Sequence, residues 1–270
     1  CVKIIFLLIL FFYSYLLASP TLSLTNESIN IQNFDLEYIP TENEVFDLKL
    51  LEKENFIPQT NRISLGKDIT SVWIKFKVHN TTDKEKKVYL HNELGYMANQ
   101  LDYYELSNSE LINSYKINFQ RGEYLQDKVF GSDIRFDIFL EPYEVKEIYI
   151  YLRMDVMLFT YLTIYDEKNS LKRLSTKHGL EHIVLGMMIA LSLYHFILYL
   201  TTRYRAYIFY TLYLVSATIW EAQMSGMLSN NFNFYFQPQN EFLLLSVIFI
   251  PIFLVFFAKT IFNACVENIG

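Results

Sequence analysis

A chain of 270 residues with a formal net charge of -6 has room for one or two domains, and it is too acidic for the basic footprint of a nucleic-acid binder. Hydrophobic residues make up 52% of it and aromatic residues 17%, which is rich for a soluble protein and names a lipid bilayer as one partner. Its two cysteines, Cys1 and Cys265, stand at opposite ends and exclude a disulfide framework.

The chain opens on a secretory pattern. Lys3 supplies a short positive region, Ile4 to Leu17 an apolar run, and Ala18-Ser19-Pro20 small residues and a turn. This predicts a signal peptide over residues 1–19; an uncleaved anchor helix fits the same residues.

Residues 20–165 change to period two. Val72, Ile74, Phe76 and Val78 alternate with Trp73, Lys75 and Lys77. Ile134 to Leu140 and Ile148 to Leu152 repeat the pattern, one face inward and one outward. Phe46-Leu48-Leu50, Val88 to Leu90, Leu101 to Leu106, Tyr115 to Phe119 and Tyr161 to Tyr165 are further strand candidates. Polar turns separate them, among them Asn80-Thr81-Thr82-Asp83 and Gly131-Ser132-Asp133. About eight short strands at this spacing predict an exported, all-β, jelly-roll-like sandwich.

Residues 166–178 form a charged connector with Lys168, Lys172, Arg173 and Lys177, read as a solvated linker that runs into or caps a membrane helix. Residues 179–263 hold an α-helical transmembrane bundle with three apolar runs, 183–200, 206–224 and 242–258. The first would span roughly 27 Å as a helix, close to the hydrocarbon thickness of a bilayer. Pro251 predicts a kink in the third. Arg203 and Arg205 follow the first run, Gly226 to Glu241 lacks Lys and Arg, and Lys259 follows the third. Positive residues mark the inner side, so the β domain is expected outside and residues 264–270 inside.

Taken together these residues resemble a family, the bacterial seven-transmembrane receptors with diverse intracellular signalling modules (7TMR-DISM). The front half is similar to their second type of extracellular domain at Leu65-Gly66, Val72 to Phe76, Asn80 to Asp83, Leu101 to Tyr104, Glu141-Pro142, Tyr149 to Arg153 and Leu162 to Tyr165. The rear half is similar to the start of their seven-helix region at Gly186, Tyr194, Arg203 to Tyr210, Gly226 and Ala258 to Phe262. The resemblance implies a multi-pass protein of the bacterial inner membrane with its β domain in the periplasm. It also implies four further helices and a cytoplasmic output domain, a histidine kinase or a diguanylate cyclase, while this chain reaches only the third run. His195 stands where the family often has Asn, and a basic pair of the sensing domain is reduced to Arg121.

Candidate ligand-binding residues are Trp73, Tyr103, Tyr104 and Arg121. Aromatic rings on a concave sheet, with Tyr149 and Tyr151 beside them, suit the C–H faces of a saccharide; packing between sheets explains the same rings. His195 and Glu221 are the intramembrane polar candidates, read either as functional groups or as satisfied ones. His178 and His182 share a helix face, but Glu181 is expected to point elsewhere, so no metal and no cofactor is expected. No phosphate loop, nucleophile elbow or HExxH supports catalysis. The expected function is therefore a receptor front end that binds a small molecule or saccharide. The alternative is a membrane-anchored, non-signalling binding module or truncated product. A second copy of the chain is an admissible partner.

Overall fold

Alternating side chains organise the front half. The computed structural model describes residues 19–25, 27–123, 126–155, 157–232 and 237–267; the expected signal peptide lies outside them apart from Ser19. Among the described residues are thirteen strands: β1 Thr21–Leu24, β2 Asn30–Ile31, β3 Asp35–Pro40, β4 Ile57–Thr60, β5 Arg62–Gly66, β6 Ser71–Asn80, β7 Lys86–Glu93, β8 Gln100–Ser107, β9 Glu110–Asn118, β10 Val129–Phe130, β11 Asp133–Leu140, β12 Val145–Arg153 and β13 Leu158–Tyr165. They make two sheets. One runs β4-β3-β6-β12-β8-β9, with β1 pairing parallel to β6; the other runs β10-β11-β7-β13-β2, with β5 beside β13.

Register places the core. β12 pairs antiparallel with both β6 and β8, so that Ile150 lies opposite Ile74 on one side and Tyr103 on the other. Tyr103 stacks on Phe136 of the other sheet, with centroids 4.5 Å apart and planes 12° from parallel. Ile74, Phe76, Ile148 and Ile150 are fully buried, and burial of each such side chain contributes about 1.5–3 kcal/mol. A buried ion pair completes this layer: Lys146 Nζ donates to Glu105 Oε1 at 2.7 Å, and the Tyr103 hydroxyl donates to Glu105 Oε2 at 3.1 Å.

The alternate residues of the larger sheet are buried too. Trp73, Tyr104, Leu106, Tyr149 and Tyr151 form a second cluster, with Phe46, Leu48, Phe56 and Leu51 packed on it. The covering segment corrects the strand expected at Phe46-Leu48-Leu50. Leu48–Leu51 is a short helix, α1, because Asp47 Oδ1 caps it by accepting from Lys49 N–H at 3.0 Å and Leu50 N–H at 3.4 Å. Strands β1 to β5 and β10 add to the seven others expected. Several are short or exposed, as in β4, whose four residues all face solvent, so hydrophobic alternation does not mark them.

Four more helices follow: α2 Glu167–Thr202, α3 Arg205–Met224, α4 Met227–Phe232 and α5 Gln237–Glu267. Only Asp166 separates β13 from α2. Residues 167–178 of the charged connector are the first turns of this 36-residue helix. The three apolar runs lie on α2, α3 and α5. Of these, α2 and the Glu241–Phe262 part of α5 are long and apolar enough to cross a membrane. α3 packs on α5 through Phe209 against Phe256 and Tyr210 against Phe257. Pro251 sits inside α5, where its missing N–H removes one helical hydrogen bond. The expected loop from Gly226 to Glu241 is partly helical, in α4 and the start of α5.

By contacts the chain divides into a strand unit, up to Glu93 with Ala98–Asn118 and Phe136–Glu167, and a helical unit of Leu94–Met97, Phe119–Arg135 and the chain from Lys168 on. In the strand unit Asn80, fully buried, closes a turn. Its amide donates to the carbonyls of Lys84 (2.7 Å) and Glu141 (2.9 Å), and its oxygen accepts from Thr82 N–H (3.1 Å). Asn80→Ala is expected to lower the unfolding free energy by about 2–4 kcal/mol, because several buried backbone groups lose their partner at once. Denaturant unfolding followed by near-ultraviolet circular dichroism measures this.

Candidate functional site

In the strand unit the predicted aromatic residues are interior groups. Trp73 is 1% exposed, Tyr103 0% and Tyr104 4%, which corrects the open aromatic platform. The reason is that both faces of the larger sheet are covered at its centre, one by the second sheet and one by the α1 segment. Phe46 stacks on Tyr104 at 4.1 Å, and Trp73 Nε1–H donates to the Asn43 carbonyl at 2.9 Å. Trp73 reaches a pocket of about 100 Å³ whose wall includes Ile39, Thr41, Asn43, Val45 and Leu50.

Asp102, next to this cluster in sequence, is 3% exposed and accepts from Gln100 Nε2 at 3.0 Å. Burial pushes its carboxyl above the usual range, against the opposing pull of Gln100 and Lys116. The folded pKa is raised, so the fold favours the neutral acid. The resulting stability is present at low pH and lost as pH rises through the folded value.

Arg121 lies on a 3-10 turn, Phe119–Arg121, is exposed, and belongs to the helical unit. His195 bonds back to its own helix and meets α3. Its Nδ1–H donates to the Leu191 carbonyl at 2.8 Å, and its ring meets Tyr210 of α3 edge-on at 4.5 Å. Glu221 is half-buried in the last turn of α3.

The helical unit contains a polar cluster that sequence reasoning missed. Asp133, 0% exposed, accepts from Lys177 Nζ at 2.6 Å and pairs with Arg173 at 3.8 Å; Lys177 also donates to Ser132 Oγ at 2.6 Å. Two of the four basic residues of the supposed linker therefore face a buried carboxylate. The signal was present: Arg173 and Lys177 are four apart, on one helix face, and Asp133 ends a Gly-Ser-Asp turn. Tyr96, 1% exposed, donates its hydroxyl to the Gln223 carbonyl at 2.6 Å, and burial raises its pKa above the normal phenol range. A pocket of about 190 Å³ is lined by His178, Glu181, His182, Ser225 and Asn231 among others. Glu181 thus lines the same pocket as the two histidines, contrary to expectation, yet no group of three metal-ligating side chains is present among the described residues.

A two-sheet sandwich is followed by helices of which, among the described residues, two are long and apolar enough to cross a membrane. Residues 22–166 match the family 7TMR-DISM extracellular 2, and residues 177–268 match 7TM diverse intracellular signalling. The first match alone covers more than half of the chain, and the chain belongs to this receptor family. Both matched regions are non-enzymatic families. No curated protein matches the chain. Among solved structures, it is similar to a Faecalibacterium prausnitzii beta-glucuronidase (13% identity, 48% of this chain, 22% of that one, TM-score 0.30). The chain therefore spans about a fifth of that protein's length. It is also similar to the pre-peptidase C-terminal domain of a Bacillus anthracis collagenase (11% identity, 38% and 86% covered, TM-score 0.24). A third likeness is to a family 35 carbohydrate binding module from Clostridium thermocellum (12%, 55% and 99%, TM-score 0.23). Likenesses this distant carry no argument.

Asp133→Asn is expected to destabilise the chain by about 3 kcal/mol, since Lys177 and Arg173 lose their shared counter-charge. A double-mutant cycle with Lys177→Met should show a coupling energy of about 1–3 kcal/mol in reversible unfolding in detergent. Asp102→Asn is expected to raise the melting temperature at pH 7–8, with the gain gone near pH 3; a pH series of thermal melts measures it.

Proposed function

We propose that the sandwich binds a small carbohydrate-like molecule outside the cytoplasm, and that α2 carries the change through a bacterial inner membrane toward a cytoplasmic output domain of kinase or diguanylate cyclase type. One observation carries this reading: a single residue, Asp166, stands between β13 and a helix that continues through the whole first apolar run. A strand that shifts on binding has no slack in which to lose that motion. The ligand must bind one arrangement better than the other, and each 1.4 kcal/mol of difference changes their ratio tenfold.

The pocket at Trp73 is the proposed entry point. It joins an apolar floor to polar groups from Asn43 and Thr41, the composition of a small-molecule site. At about 100 Å³ it is smaller than usual ligand sites of roughly 300–1,000 Å³. Binding a sugar ring therefore requires the α1 segment to move off Trp73. Val45 and Leu50, 64% and 51% exposed, stand at the rim where that movement would begin.

The test uses the full chain in lipid nanodiscs with Trp220→Phe, which leaves Trp73 as the reporter. A panel of mono- and oligosaccharides should include one that raises the melting temperature and changes Trp73 emission with a shared saturation curve. Asn43→Ala should weaken that binding about tenfold. Absence of any response across the panel overturns the saccharide class. A periplasm-active reporter fused at Asn169 should be active; activity of a cytosolic reporter there inverts the topology.

A further inference from the structure

The turn Phe130–Asp133 is held within the helical unit on three sides. On α2, the His178 ring packs against Gly131: a Cβ there would sit 2.5 Å from Nε2 and 2.7 Å from Cε1. Across from it, a Cβ on Gly226, just past α3, would sit 2.5 Å from the Gly131 oxygen and 2.8 Å from the Ser132 nitrogen. Both glycines have positive φ, +61° and +72°, so neither side admits a side chain in space or in backbone conformation. The third side is Asp133, anchored to Lys177 and Arg173.

We propose that this turn is a proton-binding switch: a proton added to His178 drives the Gly131–Ser132 peptide out from between α2 and the end of α3, so that acid is an input to the receptor whatever ligand the sandwich takes. Imidazole is the side chain whose ordinary titration falls between pH 5 and 8. A charged ring draws water; the pocket of about 190 Å³ that His178 and Gly131 both line can supply it, but the part of the ring packed on Gly131 is hydrated only when the turn moves. The charged and titratable groups around it are Lys177, Glu181 and His182 on its own helix, Asp133 on β11, and Glu221 of α3, which faces Glu181; Arg173 flanks Asp133. Asp133 is the carboxylate that would welcome the new cation, but Lys177 and Arg173 already share its charge.

Burial, with Lys177 next, lowers the His178 pKa from its ordinary 6.5, while Asp133 and the Phe130 backbone pull the other way. The folded value is depressed, so the packed turn favours the neutral ring. That stabilisation is present above pH 6.5 and is lost as pH falls through the lowered value. The switch therefore opens on the acid side.

The experiment uses the full chain in nanodiscs. Amide hydrogen exchange of residues 129–133, corrected for the intrinsic rate, is followed from pH 8 to pH 5, alongside imidazole titration by NMR. Protection should fall at least tenfold, with a midpoint that coincides with the His178 titration. His178→Gln should remove the pH dependence, and His182→Gln should keep it. A pH-independent wild type, or a His178→Gln variant that still loses protection in acid, overturns the proposal. Should His178→Gln be unprotected already at pH 8, the wild-type midpoints decide: separation by more than about one pH unit overturns it.

Discussion

The junction at Asp166 constrains everything else in the chain. Its backbone N–H donates to the Ile29 carbonyl at 2.9 Å, and its carboxylate accepts from the Ile29 N–H at 2.7 Å. The residue just after the last strand is thus tied at two points to Ile29, near the start of the sandwich, and the next residue is already helical. A flexible linker would let strand and helix move independently. Here one residue, bonded twice to Ile29, is all the chain between them, and the receptor reading depends on how short that connection is.

The same economy of slack appears in the interior. The centre of the larger sheet has no wet face: the alternation that would leave Trp73, Tyr104, Tyr149 and Tyr151 outward is answered by Phe46, Leu48 and Phe56 folding over them. The strand unit so acquires a second apolar layer without a third sheet. The covering helix α1 is short, capped by a single aspartate, and has exposed apolar residues at its edge. In the helical unit polar and bare-backbone contacts stand beside the aromatic packing of α3 on α5. Asp133, Tyr96 and two glycines make the fit there, and each tolerates less change than an apolar contact would.

Much of the β half was legible from alternation alone. β6, β8, β11, β12 and β13 contain the predicted runs because a strand buried on its inner face must place apolar residues two apart. Phe46-Leu48-Leu50 shows the limit. It has the same spacing, but Asp47 offers its carboxylate to the following N–H groups, and a capped turn wins over a strand with no neighbour to pair. The connector shows a second limit. Charge in a sequence is silent about its partner, and Lys177 and Arg173 read as solvated until the fold brings Asp133, some forty residues away, beneath them.

What the residues determine unaided is the order of environments: an alternating stretch that must build sheets, then uninterrupted apolar runs that only a bilayer or a protein interior can hold. Period and hydropathy are local properties, so they survive without a structure. Which aromatic rings face outward, which cations meet a carboxylate, and where two backbones approach closely enough to require glycine are decided only by tertiary structure. Each depends on a partner far along the chain, and no local pattern encodes that distance.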